Sequence, residues 1–202
     1  AYFVAKPTAN GGAEVVLTDL ETNRPLGDPL RISSGGVTAL NANDAWLAVA
    51  VNEPAAAVGQ PAHRVELCPL TGGERTVVPL PRKPTAVAAG PGGRTVAAVL
   101  VDGSVAHAVR DGDRWRVGLL DGVTASTVAM TPDGRRLIVG APSGRIAMLE
   151  LLTPGEASIA SRVALTFDGH SERVSVVRQV TLAGETVLIS GDDAGSVIVR
   201  RL

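Results

Sequence analysis

Apolar residues fall along this chain in short runs, each closed by a turn rich in Gly, Pro or Asp. Three segments align with one another: Thr85–Gly103, Thr127–Gly144 and Val174–Gly195. Each reads as an apolar strand, a turn ending in Gly, one or two polar residues, a second apolar strand and a second Gly turn. The first turns are Pro91-Gly92-Gly93, Pro132-Asp133-Gly134 and Leu182-Ala183-Gly184. Pro presets φ for the first turn position, and Gly supplies the positive φ that a tight hairpin needs. The second turns are Asp102-Gly103-Ser104, Ser143-Gly144-Arg145 and Ala194-Gly195-Ser196. Two hairpins in series make a three-stranded meander. A fourth strand follows after Gly103 (Val105–Val109, then Trp115–Leu119 across Asp111-Gly112-Asp113) and after Gly144 (Ile146–Leu151, then Ile159–Phe167 across Thr153-Pro154-Gly155).

The segment Val37–Pro81 follows the same plan, with strands Val37–Leu40, Trp46–Val51, Val65–Leu67 and Thr76–Leu80 and a longer Ala- and Pro-rich insert, Asn52–Ala62. The N-terminal unit reads as second, third and fourth strands (Tyr2–Ala5, Val15–Leu17, Pro29–Ile32), and the C-terminal unit stops after its third, Val197–Arg200. A repeat of about 40–50 residues is the signature of a solenoid or propeller. The expected fold is all-β: a β-propeller of four-stranded antiparallel blades, about four and a half in this chain and part of a larger, about seven-bladed ring. The units are approximately 1–34 (partial), 35–82, 83–122, 123–168 and 169–202 (partial). The strands missing from the two end units differ, so the ends are not expected to complete one another.

These residues resemble the WD40-repeat β-propeller family, in a degenerate bacterial form. Ser190–Leu202 looks like the closing segment of such a repeat, and Asp168-Gly169-His170 sits where the family's Gly-His pair belongs. Thr131–Leu137 resembles the first hairpin turn, and Thr18–Leu30 the linker after the third strand in bacterial members. The signature Trp position is filled by Thr18, Cys68, Ala108, Leu149 and Arg200, and no Trp-Asp dipeptide occurs. The Asp that the resemblance expects in the last second-hairpin turn falls at Ala194. His170 is therefore expected to lack that partner, and the hydrogen-bonded tetrad of the family's blades is not expected here. The residues assigned to structural turns are Pro91, Gly93, Gly103, Pro132, Asp133, Gly134, Gly144, His170 and Gly195.

Composition narrows the picture. Hydrophobic residues are 45% and charged residues 19%, which allows a buried core, but aromatics are only 2%, so Val, Leu, Ala and Ile must fill it. The excess of Arg over Lys, with abundant Ala, Gly, Val and Pro, resembles proteins of high-GC bacteria. A formal net charge of −1 gives no field for nucleic acid or an anionic membrane. Cys68 is the only cysteine, so no intrachain disulfide forms. No apolar run approaches the roughly 20 residues that span a bilayer. The expected location is cytoplasmic, with an upstream signal peptide left open.

Candidate chemistry is thin. His63, His107 and His170 come from different units without metal-ligand spacing; the first two are expected at the surface or a blade edge, the third to structure a loop. Asp192-Asp193 and the Asp111/Asp113 pair read as solvated turns rather than a calcium loop or a hydrolase pair. Ser104, Ser143 and Ser196 adjoin turn glycines, and Gly-x-Ser-x-Gly is absent. Gly35-Gly36, Gly72-Gly73 and Gly92-Gly93 open no helix that would cradle phosphate. Arg114-Trp115-Arg116, Arg135-Arg136 and Arg200-Arg201 read as strand ends, and Trp46 and Trp115 as packing residues. No catalytic, cofactor or metal site is assigned, and no cofactor is expected.

The expected function is a non-catalytic WD40-like protein-interaction or sensory scaffold. The resemblance implies the propeller portion of a larger bacterial signalling protein, bound to a protein partner or to an adjacent domain of its own polypeptide, with no nucleic acid and no membrane. The alternative is a propeller enzyme or small-ligand binder with a central-channel site. The almost wholly small and apolar first strands (Val37–Leu40, Thr85–Ala89, Thr127–Met130, Val174–Val177) disfavour it.

Overall fold

The computed structural model describes residues 2–7, 13–19, 21–25, 29–32, 36–42, 46–53, 61–70, 73–152 and 161–202. Among them the chain is all β apart from a short 3-10 turn at Pro91–Gly93. The first sheet holds β1 (Tyr2–Pro7), β2 (Ala13–Thr18) and β3 (Leu30–Ile32). The second holds β4 (Gly36–Ala42), β5 (Trp46–Asn52), β6 (His63–Pro69) and β7 (Thr76–Pro79). The third holds β8 (Pro84–Ala89), β9 (Thr95–Leu100), β10 (Ser104–Asp111) and β11 (Arg114–Thr124). The fourth holds β12 (Thr127–Met130), β13 (Arg136–Gly140), β14 (Ile146–Leu151) and β15 (Ser161–Phe167), and the fifth β16 (Val174–Leu182), β17 (Glu185–Asp192) and β18 (Val197–Arg201).

Each sheet is an antiparallel meander in chain order, and short turns such as 101–103, 112–113 and 183–184 join many of its successive strands. The second to fifth sheets then stack face to face as propeller blades. Strand β8 packs on β4 and β5, β12 on β8 and β9, and β16 on β12 and β13. The first strand of each blade is thus innermost. Its ladder with the second strand carries the same irregularity in three blades, a register shift at Val37/Ala39, Pro84/Ala86 and Val174/Val176. A bulge there sharpens the local twist as the chain enters a new blade. Among the described residues no extensive contact joins the fifth sheet to the first.

The core lies between blades rather than in one centre. Alternation sends Val96, Ala98 and Leu100 of β9 towards Ala48, Ala50, Val65 and Leu67 of the second blade. Ala97 and Val99 point the other way, onto Val128, Leu137, Val139 and Leu149 of the fourth. Ile138 and Met148 meet Val174, Val177 and Leu188 of the fifth. Trp46 and Trp115 pack half-buried at the edge of the first of these layers.

Several strands run longer than the sequence pattern indicates. β4 reaches Ala42, β11 spans Arg114–Thr124, and β16 continues to Leu182. In the last case Leu182 pairs directly with Glu185, and Ala183 and Gly184 both take positive φ (51° and 83°), so a two-residue turn lets the ladder run to its tip. The Thr153-Pro154-Gly155 turn, Ile159, residues 26–28, Gly35, Gly72 and most of the Asn52–Ala62 insert lie outside the described residues. Among the described residues no helix is long and apolar enough to cross a membrane.

Candidate functional site

Polar or open surface collects in a buried cluster in the fifth blade, in the channel between the inner strands and in a groove at the outer rim, among other places.

The buried cluster corrects two expectations. His170 does have a carboxylate partner. Its Nδ1 lies 2.9 Å from Asp192 Oδ2 and its Nε2 2.8 Å from Ser190 Oγ. Asp192, read from the sequence as a solvated turn residue, is only 6% exposed, because β17 extends through it and brings it beneath the 168–173 loop. The partner comes from the end of the second strand rather than from the following turn, so Ala194 is not needed. Burial disfavours the Asp192 carboxylate, but hydrogen bonds from His170 and from Ser196 N–H (2.8 Å) outweigh it and hold its pKa below the ordinary value. An ionised carboxylate only accepts, so Nδ1–H donates to it.

Ser190, His170 and Asp192 reproduce the hydrogen-bond order of a nucleophilic triad. Ser190 is 2% exposed and His170 8%. A void of about 10 Å³ beside them, lined by Ile146, Phe167, Leu188 and Ile198, has room for about one water and not for an acyl substrate. Arg200, at the signature Trp position, lines the same void. Its guanidinium sits 5.0 Å over the Phe167 ring and donates to the Asp168 carbonyl (3.1 Å). The cluster therefore ties the Gly-His loop to β17. Gly144, at φ 82°, packs on that loop so closely that a Cβ would collide with the His170 carbonyl.

The other turns have local partners. Pro91–Gly93 is the 3-10 turn, with Gly93 at φ 62° and against the Trp46 ring. Thr131 Oγ donates to Asp133 (2.5 Å), which also accepts from Arg135 N–H (3.0 Å); these bonds hold the Asp133 pKa below normal, and Gly134 lies on Pro91 of the neighbouring blade. Asp102 accepts from Ser104 Oγ (2.7 Å) and pairs with Arg82, which commits the Ser104 hydroxyl to the Gly103 turn. Gly195 N–H donates to the Asp192 carbonyl (3.1 Å).

His107 is a further correction. Expected at the surface or a blade edge, it is 4% exposed in β10, between Ala97 and Gly118 of the flanking strands. Those small neighbours leave room for the ring but offer it no polar side chain. Among the described residues neither ring nitrogen has a hydrogen-bond partner, and burial pushes its pKa down to about 4. His63 is half-buried, at the start of β6. The same strand carries a network absent from the sequence expectations. Arg64, 2% exposed, reaches Glu66 (2.9 Å), Glu53 (3.0 Å) and the Pro61 carbonyl (3.2 Å). The only sequence signal is that Arg64 and Glu66 share one strand face with Cys68, whose thiol pKa burial pushes up.

The channel cavity, about 260 Å³, is lined by Ala39, Ala86, Val87, Val128, Val176 and Val177, with Asn41, Thr85, Thr127 and Arg178 as its polar groups. Asn41 and Arg178 enter because β4 and β16 run longer than expected. No carboxylate or imidazole lines the channel among the described residues, and none of their His, Cys, Asp and Glu side chains group to hold a metal ion. The rim groove, about 500 Å³, lies between the outer strands of the second and third blades and is lined by Pro79, Leu80, Pro81, Val117, Gly118 and Leu119.

No protein-family model matches the chain, and no curated protein matches it. Among solved structures, the chain is similar to the β-propeller domain of Cps50 (Swd1) from Myceliophteria thermophila, with a TM-score of 0.70 and 18% sequence identity over 98% of this chain. It spans 60% of the length of that structure. At this identity the likeness is one of fold: the chain is all-β and folds as propeller blades.

Proposed function

We propose that this chain is a non-catalytic, WD40-like protein-interaction or sensory scaffold, and the propeller portion of a larger bacterial signalling protein. The observation that carries the reading is where the polar chemistry goes. The Ser190–His170–Asp192 cluster is closed to substrate, and the channel, whose polar groups are Asn41, Thr85, Thr127 and Arg178, presents no carboxylate or imidazole among the described residues. Rigid blades with variable edges and turns suit binding more than chemistry. The open apolar groove between Pro79–Pro81 and Val117–Leu119 supports the same reading, with Leu119 38% exposed. The five sheets are read as part of a larger ring of about seven blades. The similar propeller is longer than this chain, which spans 60% of its length.

The test is proximity labelling in the source cell with the full-length polypeptide and its Leu119→Asp variant. A defined protein set, enriched over a free-label control and depleted by the substitution, is expected. No enrichment over that control overturns the scaffold reading. Turnover of a small molecule that stops on Arg178→Ala would instead favour the channel alternative.

A further inference from the structure

The end of the third blade presents two arginines to each other. The β9–β10 ladder pairs Thr95 with Val109, and one step further Arg110 N–H donates to the Arg94 carbonyl at 2.8 Å, so Arg94 and Arg110 stand opposite one another. Arg94 closes the 3-10 turn in αR conformation just before β9, and both arginines are exposed, so two positive charges meet at this end of the blade. Nothing among the described residues relieves this pair: neither guanidinium has a carboxylate within ion-pair distance. Asp111 is turned to the other side of the strand, where it pairs with Arg116 at 3.4 Å.

The two side chains line a cavity of about 390 Å³ between two turns, with Gly92 on one and Gly112 on the other as the remaining lining residues. Arg110 is held across it by the bond from its Nε to the Gly112 carbonyl, 3.1 Å, which leaves both terminal nitrogens unassigned. A carboxylate would balance one of the two charges. A phosphoryl group carries about −1.5 to −2 at neutral pH and three strong acceptor oxygens, enough to engage both guanidiniums at once.

We propose that this cavity is an oxyanion site for a phosphoryl group, held between Arg94 and Arg110. The group arrives either as free phosphate or on a phosphorylated side chain of a partner segment. The second source deepens the scaffold reading. The test below uses no cellular partner, so its failure is separate from failure of that reading.

The purified full-length polypeptide is titrated at constant ionic strength with inorganic phosphate, a phosphoserine peptide, and the same peptide carrying Ser or Glu. Binding is followed by calorimetry and by tryptophan fluorescence, since Trp115 lies opposite Arg110 on β11 and Trp46 lies against Gly93. Saturable binding of phosphate, of the phosphopeptide, or of both is expected, weakened about tenfold or more in Arg94→Gln and in Arg110→Gln but unchanged in Arg135→Gln, on the next blade. A second readout covers folding: Arg94→Gln should raise the melting temperature without anion and abolish the rise that phosphate gives the parent. Binding of phosphate alone identifies a free-phosphate site, and preferential binding of the phosphopeptide identifies a partner segment. Absence of saturable binding, binding in both Arg variants equal to the parent's, or equal binding of the Glu and phosphoserine peptides overturns the proposal.

Discussion

Replacing His107 with Leu should remove a large part of the acid sensitivity of this fold. The ring is enclosed between the third and fourth blades, both its nitrogens lack partners among the described residues, and burial lowers its pKa from 6.5 to about 4. A base whose folded pKa is depressed binds fewer protons folded than unfolded between those two values, so stability falls as pH drops through that window. Its contribution is fully present above the unfolded pKa. With these values, linkage gives a loss of about 2 kcal/mol on going from about pH 7.5 to about pH 5, and about 3 kcal/mol once pH is below both. Leu fills similar space without nitrogens to desolvate, so the variant should also be more stable at neutral pH, by about 1 kcal/mol. Urea unfolding of parent and variant, followed by circular dichroism at both pH values, checks this, because the carboxylates common to both cancel in the difference. The gap between them should widen by about 2 kcal/mol in acid. Parallel pH dependences, with the gap constant to within about 0.5 kcal/mol, would refute the reasoning, since the imidazole would then reach solvent or a partner in the folded chain.

Three further outcomes follow from the same geometry. Ser190→Ala, which leaves a buried His170 nitrogen unpaired, should cost about 1–3 kcal/mol in chemical denaturation, while a fluorophosphonate probe should fail to label Ser190 in the folded parent. Labelling there would show the cluster to be open and catalytic. Gly144→Ala meets both a positive φ and the His170 carbonyl, so it should lower stability by about 2–4 kcal/mol, against a few tenths for Gly112→Ala beyond its φ cost, where a Cβ has open space. Arg64→Met removes the buried guanidinium that Glu66 and Glu53 share at the base of the insert and should cost about 3–5 kcal/mol; Arg64→Met with Glu66→Leu should recover much of it, and equal losses in both would sink the coupling.

How much of this was legible in the sequence depends on which physical signal each feature leaves. The blades were legible because hairpin chemistry is local: Pro132-Asp133-Gly134 and Asp111-Gly112-Asp113 fix a turn whatever lies around them, and strand order follows from the turns. Strand ends were less so, since the ladder at Leu182–Glu185 continues by pairing, not by residue type. The burial of His107 had a faint trace in its run, Val105-Ala106-His107-Ala108-Val109, which is apolar on both faces of a third strand. The sequence cannot tell whether such a strand is covered on one side or two, and here both faces are covered by neighbouring blades. The His170 cluster was misread for a related reason. A family pattern assigns the carboxylate to a fixed turn position, but what His170 requires is an acceptor within about 3 Å, and the end of β17 supplies one two residues earlier. The opposed pair Arg94 and Arg110 was hidden as well, because fifteen intervening residues separate two charges that only the β9–β10 register makes adjacent. Features set by local turn geometry are thus readable along the chain. Those set by register and by blade-to-blade cover need the fold, and in a propeller these are the features that decide which side chains remain available to bind.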